Sequence, residues 1–158
     1  MDGNNAGLAK GVREPAMQVQ RHNENPLIRP SDVPPSRSDY EVVGAFNPGA
    51  IQIGDETFLM LRVAERPKDK AEDEQVAPIL NPGTGQVDLF RVRNDDPHIT
   101  DIPDSRSFFY NGDMFLTSIS HLRLARGRNG GRFEIDPKPA LFPRTWCETF
   151  GLEDPRIT

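Results

Sequence analysis

The chain of 158 residues lacks the features that mark several classes of protein. It has a single cysteine, Cys147, which excludes an internal disulfide and fits a reducing, cytoplasmic setting. No apolar run is long enough to cross a membrane, and the polar segment 1–10 has no apolar core of the kind found in secretory signals. The net charge of −5 comes without a basic stripe. We therefore expect neither a membrane nor a nucleic acid as a partner.

The sequence also gives no support for a metal site or a reactive thiol. Asp95, Asp96 and His98 come close together in a turn cluster, but their spacing is not that of a metal site. A nucleophilic Cys147 is a weak hypothesis, since no histidine lies near it in the sequence. No bound metal is therefore expected.

Proline and glycine are abundant, with 15 and 13 residues, which argues against long helices and for short strands joined by turns. One hairpin is predicted around Gly54, and a second around Asn111-Gly112, a strong turn signal. Strands are predicted at 50–53, 57–63, 87–92, 107–110, 114–120, 121–126 and 132–135.

The fold class that these patterns predict is all-β. Repeated hairpins favour a β-propeller over a sandwich or a barrel, and a blade takes ~40–50 residues. The roughly 115 residues after Tyr40 would then form two to three blades, whereas a closed propeller needs at least ~4. Segment 65–76, with its mixed charge, is interpreted as a solvated loop, and His121 is expected on the polar face of its strand.

Arg62 interrupts the apolar strand 57–63. A charge in a buried strand is costly unless it has a partner. Arg62 therefore either reaches solvent at the end of the strand or serves a site, and the local sequence leaves both interpretations open.

Segment 151–158 carries an acid in a stiff local frame. Pro155 fixes its own φ and pushes Asp154 towards extended geometry, which would hold a general acid in place. Alternation along an extended chain would put Asp154 and Arg156 on one face and Glu153 on the other. A nearby cation would keep Asp154 ionised, whereas burial would raise its pKa. A turn-forming Asp-Pro with a surface ion pair is the alternative.

Four stretches of the chain carry a family resemblance. They are Asn25-Pro26-Leu27-Ile28 with Pro30, Phe46-Asn47-Pro48-Gly49-Ala50, Leu59-Met60-Leu61-Arg62 and Gly151-Leu152-Glu153-Asp154-Pro155-Arg156-Ile157. Together, and in this order, they resemble glycoside hydrolase family 130, the β-mannoside phosphorylases and related mannosidases. The last stretch is the most specific of the four.

The resemblance implies a five-bladed β-propeller with its active site at the central cavity. Residues 25–158 would form about the first half of this domain, truncated at the C-terminus. The polar and aperiodic sequence before them predicts a flexible N-terminal segment over residues 1–24.

The resemblance also implies roles for single residues. Asp154 matches the family's catalytic acid, and Asn47 and Arg62 match residues that line the mannose pocket. Glu153 and Arg156 lie inside the motif and are candidate substrate-binding residues without a specific role.

In the phosphorylases, the resemblance implies, inorganic phosphate attacks the anomeric carbon of a β-mannoside with inversion and releases α-mannose 1-phosphate. The acid acts through a sugar hydroxyl. The expected partners are therefore a β-mannoside oligosaccharide and inorganic phosphate, with no cofactor, and a homo-oligomer is compatible with this chemistry.

Two alternatives stay open at this point. One is a β-mannoside hydrolase of the same fold, with water as nucleophile and a second carboxylate as base. The other is a non-catalytic sugar-binding propeller. The family's phosphate-binding cations follow the Glu-Asp-Pro-Arg motif, beyond Thr158. We expect the chain alone to be inactive, because a sheet edge and a core face would stay uncovered. The longer protein that would complete it is called the parent below.

Overall fold

The computed structural model describes residues 21, 23–128 and 131–158, and these are mostly β. Two single 3-10 turns, Pro30–Asp32 and Trp146–Glu148, are the helical elements of this part of the chain. The nine strands of the described residues are β1 Tyr40–Ile53, β2 Glu56–Pro67, β3 Glu74–Asn81, β4 Gln86–Arg93, β5 Ile99–Asp104, β6 Ser107–Tyr110, β7 Asp113–Leu116, β8 Ile119–Arg128 and β9 Phe133–Ile135.

The strands form three antiparallel sheets, with orders β1-β2-β8-β9, β3-β4 and β5-β6-β7. Both predicted hairpins are confirmed. Gly54 turns β1 into β2 at φ 63°, and Asn111 and Gly112 turn β6 into β7 at φ 54° and 89°. The all-β class is therefore confirmed for the described residues, which form no closed ring of blades.

The buried apolar side chains of the described residues form three clusters. Leu61, Val63 and Ala125 pack with Val33 in one buried cluster. Phe108 leads a second cluster between the two smaller sheets, where it stacks on Phe115 with ring centroids 5.4 Å apart. Burial of such apolar side chains holds the sheets together, at roughly 1.5–3 kcal/mol for each one fully buried.

Two expectations about charged and polar residues were wrong. Segment 65–76 is not one loop, because β2 continues to Pro67 and β3 begins at Glu74. His121 is not on a polar face, since it and Glu65 are both fully buried. The two side chains contact each other, with Nε2 of His121 2.9 Å from Oε1 of Glu65. Glu65 and His121 lie 56 positions apart in the sequence, so no local pattern could predict that they pair.

Most of the segment 1–24 lies outside the described residues, so its predicted flexibility stays a prediction. None of the helical segments that the structure describes has the length and hydropathy of a membrane span.

Candidate active site

A bulge in β1 positions Asn47. Phe46 pairs with Arg62 and Gly49 pairs with Met60, so two residues of β1 lie opposite one residue of β2. Asn47 takes a left-handed backbone conformation at this point, with φ 48°. A bulge re-aims a side chain out of the regular ladder. Here it turns the amide of Asn47 towards the C-terminal segment.

The C-terminal segment is anchored on the buried Ser120 of β8. The backbone N–H of Ser120 donates to the carbonyl of Phe150 at 3.0 Å, and Leu152 donates to the carbonyl of Ser120 at 2.9 Å. Gly151 lies between them with φ 112°, and a β-carbon there would stand 2.1 Å from the Ser120 oxygen. The close approach therefore requires glycine.

Asp154 is held by side chains of β1 and β2. Nδ2 of Asn47 donates to Oδ1 of Asp154 at 2.9 Å, and Nη1 of Arg62 donates to the same oxygen at 3.4 Å. The side chain of Asp154 stays 51% exposed, so a ligand could reach it. Its backbone has φ 43°, which corrects the expectation of extended geometry.

Arg62 is the cation at the centre of the site. Its Nη2 donates to Oε1 of Glu153 at 2.5 Å, and its Nε donates to Oγ of Ser120 at 3.3 Å. Its guanidinium carbon lies 4.9 Å from the centroid of the Phe46 ring. The side chain is only 18% exposed, so the interpretation of Arg62 as a strand-end residue reaching solvent is wrong. Two carboxylates offset the cost of burying it.

Glu153 and Asp154 contact the same guanidinium, which contradicts the expectation that they point to opposite faces. The left-handed turn at Asp154 breaks the alternation of an extended chain. We call Asn47, Arg62, Glu153 and Asp154 the Asp154 cluster.

The cluster favours the ionised form of Asp154. The hydrogen bond from Asn47 lowers the pKa of this carboxyl below its usual range, and the hydrogen bond and charge of Arg62 lower it further. Asp154 is therefore a carboxylate at neutral pH before a ligand binds.

The side chain of Arg156 contacts backbone carbonyls of the acidic motif. Its Nη1 donates to the carbonyl oxygens of Asp154 and Pro155, each at 3.1 Å. It thus braces the turn, and its charge adds a smaller contribution to lowering the pKa of Asp154. Its place as a substrate-binding residue stays a prediction.

A cavity of about 810 Å³ opens beside the cluster. Phe46, Arg62 and Glu153 contribute to its lining, as do Arg66 and Arg106. Ligand pockets in proteins typically span ~300–1,000 Å³. The cavity is therefore large enough for a small oligosaccharide, with cations and rings of the kind that bind sugar hydroxyls and sugar faces.

The turn cluster of Asp95, Asp96 and His98, whose spacing does not favour a metal site, lies between β4 and β5. Nδ1 of His98 lies 2.9 Å from Oδ1 of Asp96, which makes a local pair. Within the described ranges, no group of three or more histidine, cysteine, aspartate or glutamate side chains could hold a metal ion. Cys147 is exposed.

Two residues of the site escaped the sequence analysis. The sequence identifies Phe46 only as part of a motif and Ser120 only as a residue of a predicted strand, whereas both contact Arg62 in the structure. For Ser120 no local signal exists, since its contacts come from residues 58 positions before it and 30 or more after it. The one local signal is Gly151 itself, a glycine just before the acidic motif, because its positive φ favours glycine.

A pair of carboxylates beside an open cavity resembles the arrangement that most glycoside hydrolases use. No family model matches the chain. Over 146 residues, however, it is 40% identical to the β-1,2-mannobiose phosphorylase of Listeria innocua. This match covers 90% of this chain and 41% of that protein.

The structural comparison agrees. The solved structure of the Listeria innocua β-1,2-mannobiose phosphorylase, in complex with β-1,2-mannobiose, matches with a TM-score of 0.80 and 40% identity. The match covers 87% of this chain and 40% of that one. The resemblance to glycoside hydrolase family 130 is thereby confirmed, over a chain that spans about two fifths of its relative's length.

Proposed function

We propose that the chain is part of a β-mannoside phosphorylase, which cleaves a β-mannoside with inorganic phosphate and releases α-mannose 1-phosphate. The observation that carries the proposal is the Asp154 cluster, in which Asn47 and Arg62 hold the carboxylate of the acidic motif. It occurs in a chain 40% identical to a β-1,2-mannobiose phosphorylase.

Asp154 acts as the acid in this proposal. A phosphate oxygen attacks the anomeric carbon while the glycosidic bond breaks, and the leaving oxygen takes a proton from a sugar hydroxyl that Asp154 protonates in turn. Because the pKa of Asp154 is lowered in the absence of ligand, the substrate has to raise it. A sugar that excludes water and draws the donors of Asn47 and Arg62 onto its own hydroxyls would do so.

Asn47 and Arg62 bind the mannose unit and Glu153 keeps Arg62 in place. An arginine offers five N–H donors in a fixed fork, which suits a ring with several hydroxyls. Arg62 uses one donor each on Glu153, Asp154 and Ser120, so its remaining N–H groups are available for a sugar.

Phosphate requires further cations, because the charge of Arg62 is already met by two carboxylates. We place those cations in the part of the family's length that this chain does not span. The complete fold is then a five-bladed propeller closed around the site, in a cytoplasmic enzyme that needs no cofactor.

The test is turnover of β-1,2-mannobiose by the parent, with and without inorganic phosphate, followed by phosphorus NMR. The proposal predicts mannose 1-phosphate of α configuration, which appears only with phosphate. Free mannose at a rate independent of phosphate would instead establish the hydrolase. Binding of the disaccharide without any turnover would establish the sugar-binding propeller.

A further inference from the structure

Ser120 of β8 contacts both Arg62 and the segment that carries Glu153 and Asp154. Its hydroxyl accepts the Nε–H of Arg62 at 3.3 Å. Its backbone holds Phe150 at 3.0 Å and Leu152 at 2.9 Å, immediately before Glu153. Ser120 is 3% exposed, so water does not compete for these contacts.

The hydroxyl contact controls more than one donor. A guanidinium is planar and rigid, so fixing the direction of Nε–H also fixes the directions of the Nη1 and Nη2 donors. In Arg62 those two donors contact Asp154 and Glu153. The Phe46 ring restrains the plane of the guanidinium but offers no directional acceptor. Ser120 therefore sets the angle at which Arg62 addresses both carboxylates.

The backbone contacts of Ser120 fix the position of the segment that carries the two carboxylates. The segment that carries Glu153 and Asp154 crosses β8 as a short parallel bridge between Ser120 and Gly151. Arg62 and the acidic motif are thus both held by contacts with one buried residue, Ser120. A shift of about 1 Å between such groups can cost ~10²-fold in rate.

We propose that Ser120 is a positioning residue, which aligns Arg62 with Asp154 and so tunes the acid. The role rests on the proposed function, but its effect on Asp154 can be measured without turnover. Ser120 touches neither substrate nor reacting atoms in this role and acts through Arg62.

The test removes the hydroxyl and keeps the backbone contacts, through Ser120→Ala in the chain and in the parent. The readout is the pKa of Asp154, followed by NMR of ¹³C-labelled aspartate. A less well aligned Arg62 stabilises the carboxylate less, so the pKa should move upwards, while the neighbouring charges of Arg156 and Glu153 stay in place. In the parent we expect kcat/KM to fall by about tenfold, as for one lost hydrogen bond to a charged group.

Ser36→Ala is the matched control. The Ser36 hydroxyl also contacts a charged residue of β2, since it donates to Oε2 of Glu65 at 2.5 Å. Glu65 lies three positions from Arg62 in β2, and side chains an odd number of positions apart point to opposite faces of a strand. Ser36→Ala should lower the unfolding temperature without moving the pKa of Asp154. If Ser120→Ala does not fold, Ser120→Cys keeps the volume with a weaker acceptor and should give a smaller upward shift.

A double-mutant cycle with Arg62→Lys separates positioning from general destabilisation. Lysine has no Nε–H fork, so adding Ser120→Ala to Arg62→Lys should leave the pKa of Asp154 unchanged. An unchanged pKa in Ser120→Ala alone, or the same shift in the Arg62→Lys background, would overturn the proposal. If the wild-type parent shows no turnover, the proposed function fails while the titration still decides the role of Ser120.

Discussion

Asn47 and Asp154 lie 107 positions apart, yet Nδ2 of Asn47 donates a 2.9 Å hydrogen bond to Oδ1 of Asp154. Both residues adopt left-handed backbone conformations, with φ 48° and 43°. Such conformations are uncommon outside glycine and concentrate at functional sites. The hydrogen bond between Asn47 and Asp154 therefore joins two unusual backbone conformations, the bulge in β1 and the turn before Pro155.

Asn47 carries two separable properties, its amide and its backbone conformation. In Asn47→Gly the amide is lost but the backbone is relaxed, whereas Asn47→Ala loses both. The pKa of Asp154 should rise in both variants, because the Asn47 hydrogen bond is the main cause of its lowering. The free energy of unfolding should be lower for Ala than for Gly by about 1 kcal/mol. NMR titration and chemical unfolding measure the two quantities, and an unmoved pKa in both variants would contradict the contact.

Gly151 tests the anchor of the C-terminal segment. Its φ of 112° is unfavourable for alanine, and an added β-carbon would lie 2.1 Å from the Ser120 oxygen. We expect Gly151→Ala to destabilise by more than about 1 kcal/mol and to reduce turnover by displacing Asp154. Gly85→Ala, at φ 69° with open space around the β-carbon, is the control for backbone strain alone. Equal losses in the two variants would exclude the steric explanation.

Glu65 makes the stability depend on pH. Burial raises its pKa, but hydrogen bonds from His121 and Ser36 outweigh burial and lower the pKa below its usual value of 4.5. A carboxyl with a lowered folded-state pKa stabilises the protein above its unfolded-state pKa, and this contribution disappears as the pH falls through the folded-state pKa. The free energy of unfolding should therefore decrease below about pH 4.5.

Glu65→Gln should flatten that decrease and destabilise the protein by about 3–5 kcal/mol at neutral pH, since Arg123 would lose its buried counter-charge. Glu41→Gln, which removes an exposed partner of Arg66, should cost no more than about 1 kcal/mol. Urea unfolding across the pH range measures both. A Glu65→Gln variant with the wild-type pH dependence would show that Glu65 is not responsible.

Local turn chemistry made the hairpins predictable. Gly54 and Asn111-Gly112 are strong signals because few other residues tolerate positive φ at these positions. In contrast, the sequence does not predict β5, since Pro103 and the two aspartates of segment 99–104 disfavour a strand. Its pairing with β6 overrides that propensity.

The composition of the Asp154 cluster followed from motifs, but its geometry did not. The Asn-Pro-Gly of segment 47–49 reads as a loop, whereas in the structure β1 runs through it as a bulge. The left-handed turn at Asp154 contradicts the usual effect of a following proline. Both depend on contacts between distant segments, which no local pattern encodes.

The most direct test of the account is Asp154→Asn in the parent, with turnover and binding of β-1,2-mannobiose measured on the same preparation. Asparagine keeps the shape but carries no transferable proton, so we expect turnover to fall by about 10²–10⁴-fold while the dissociation constant changes little. Asp55→Asn, at a carboxylate that is 70% exposed, is the control and should leave turnover unchanged. An Asp154→Asn variant that cleaves the disaccharide at the wild-type rate would contradict the central claim.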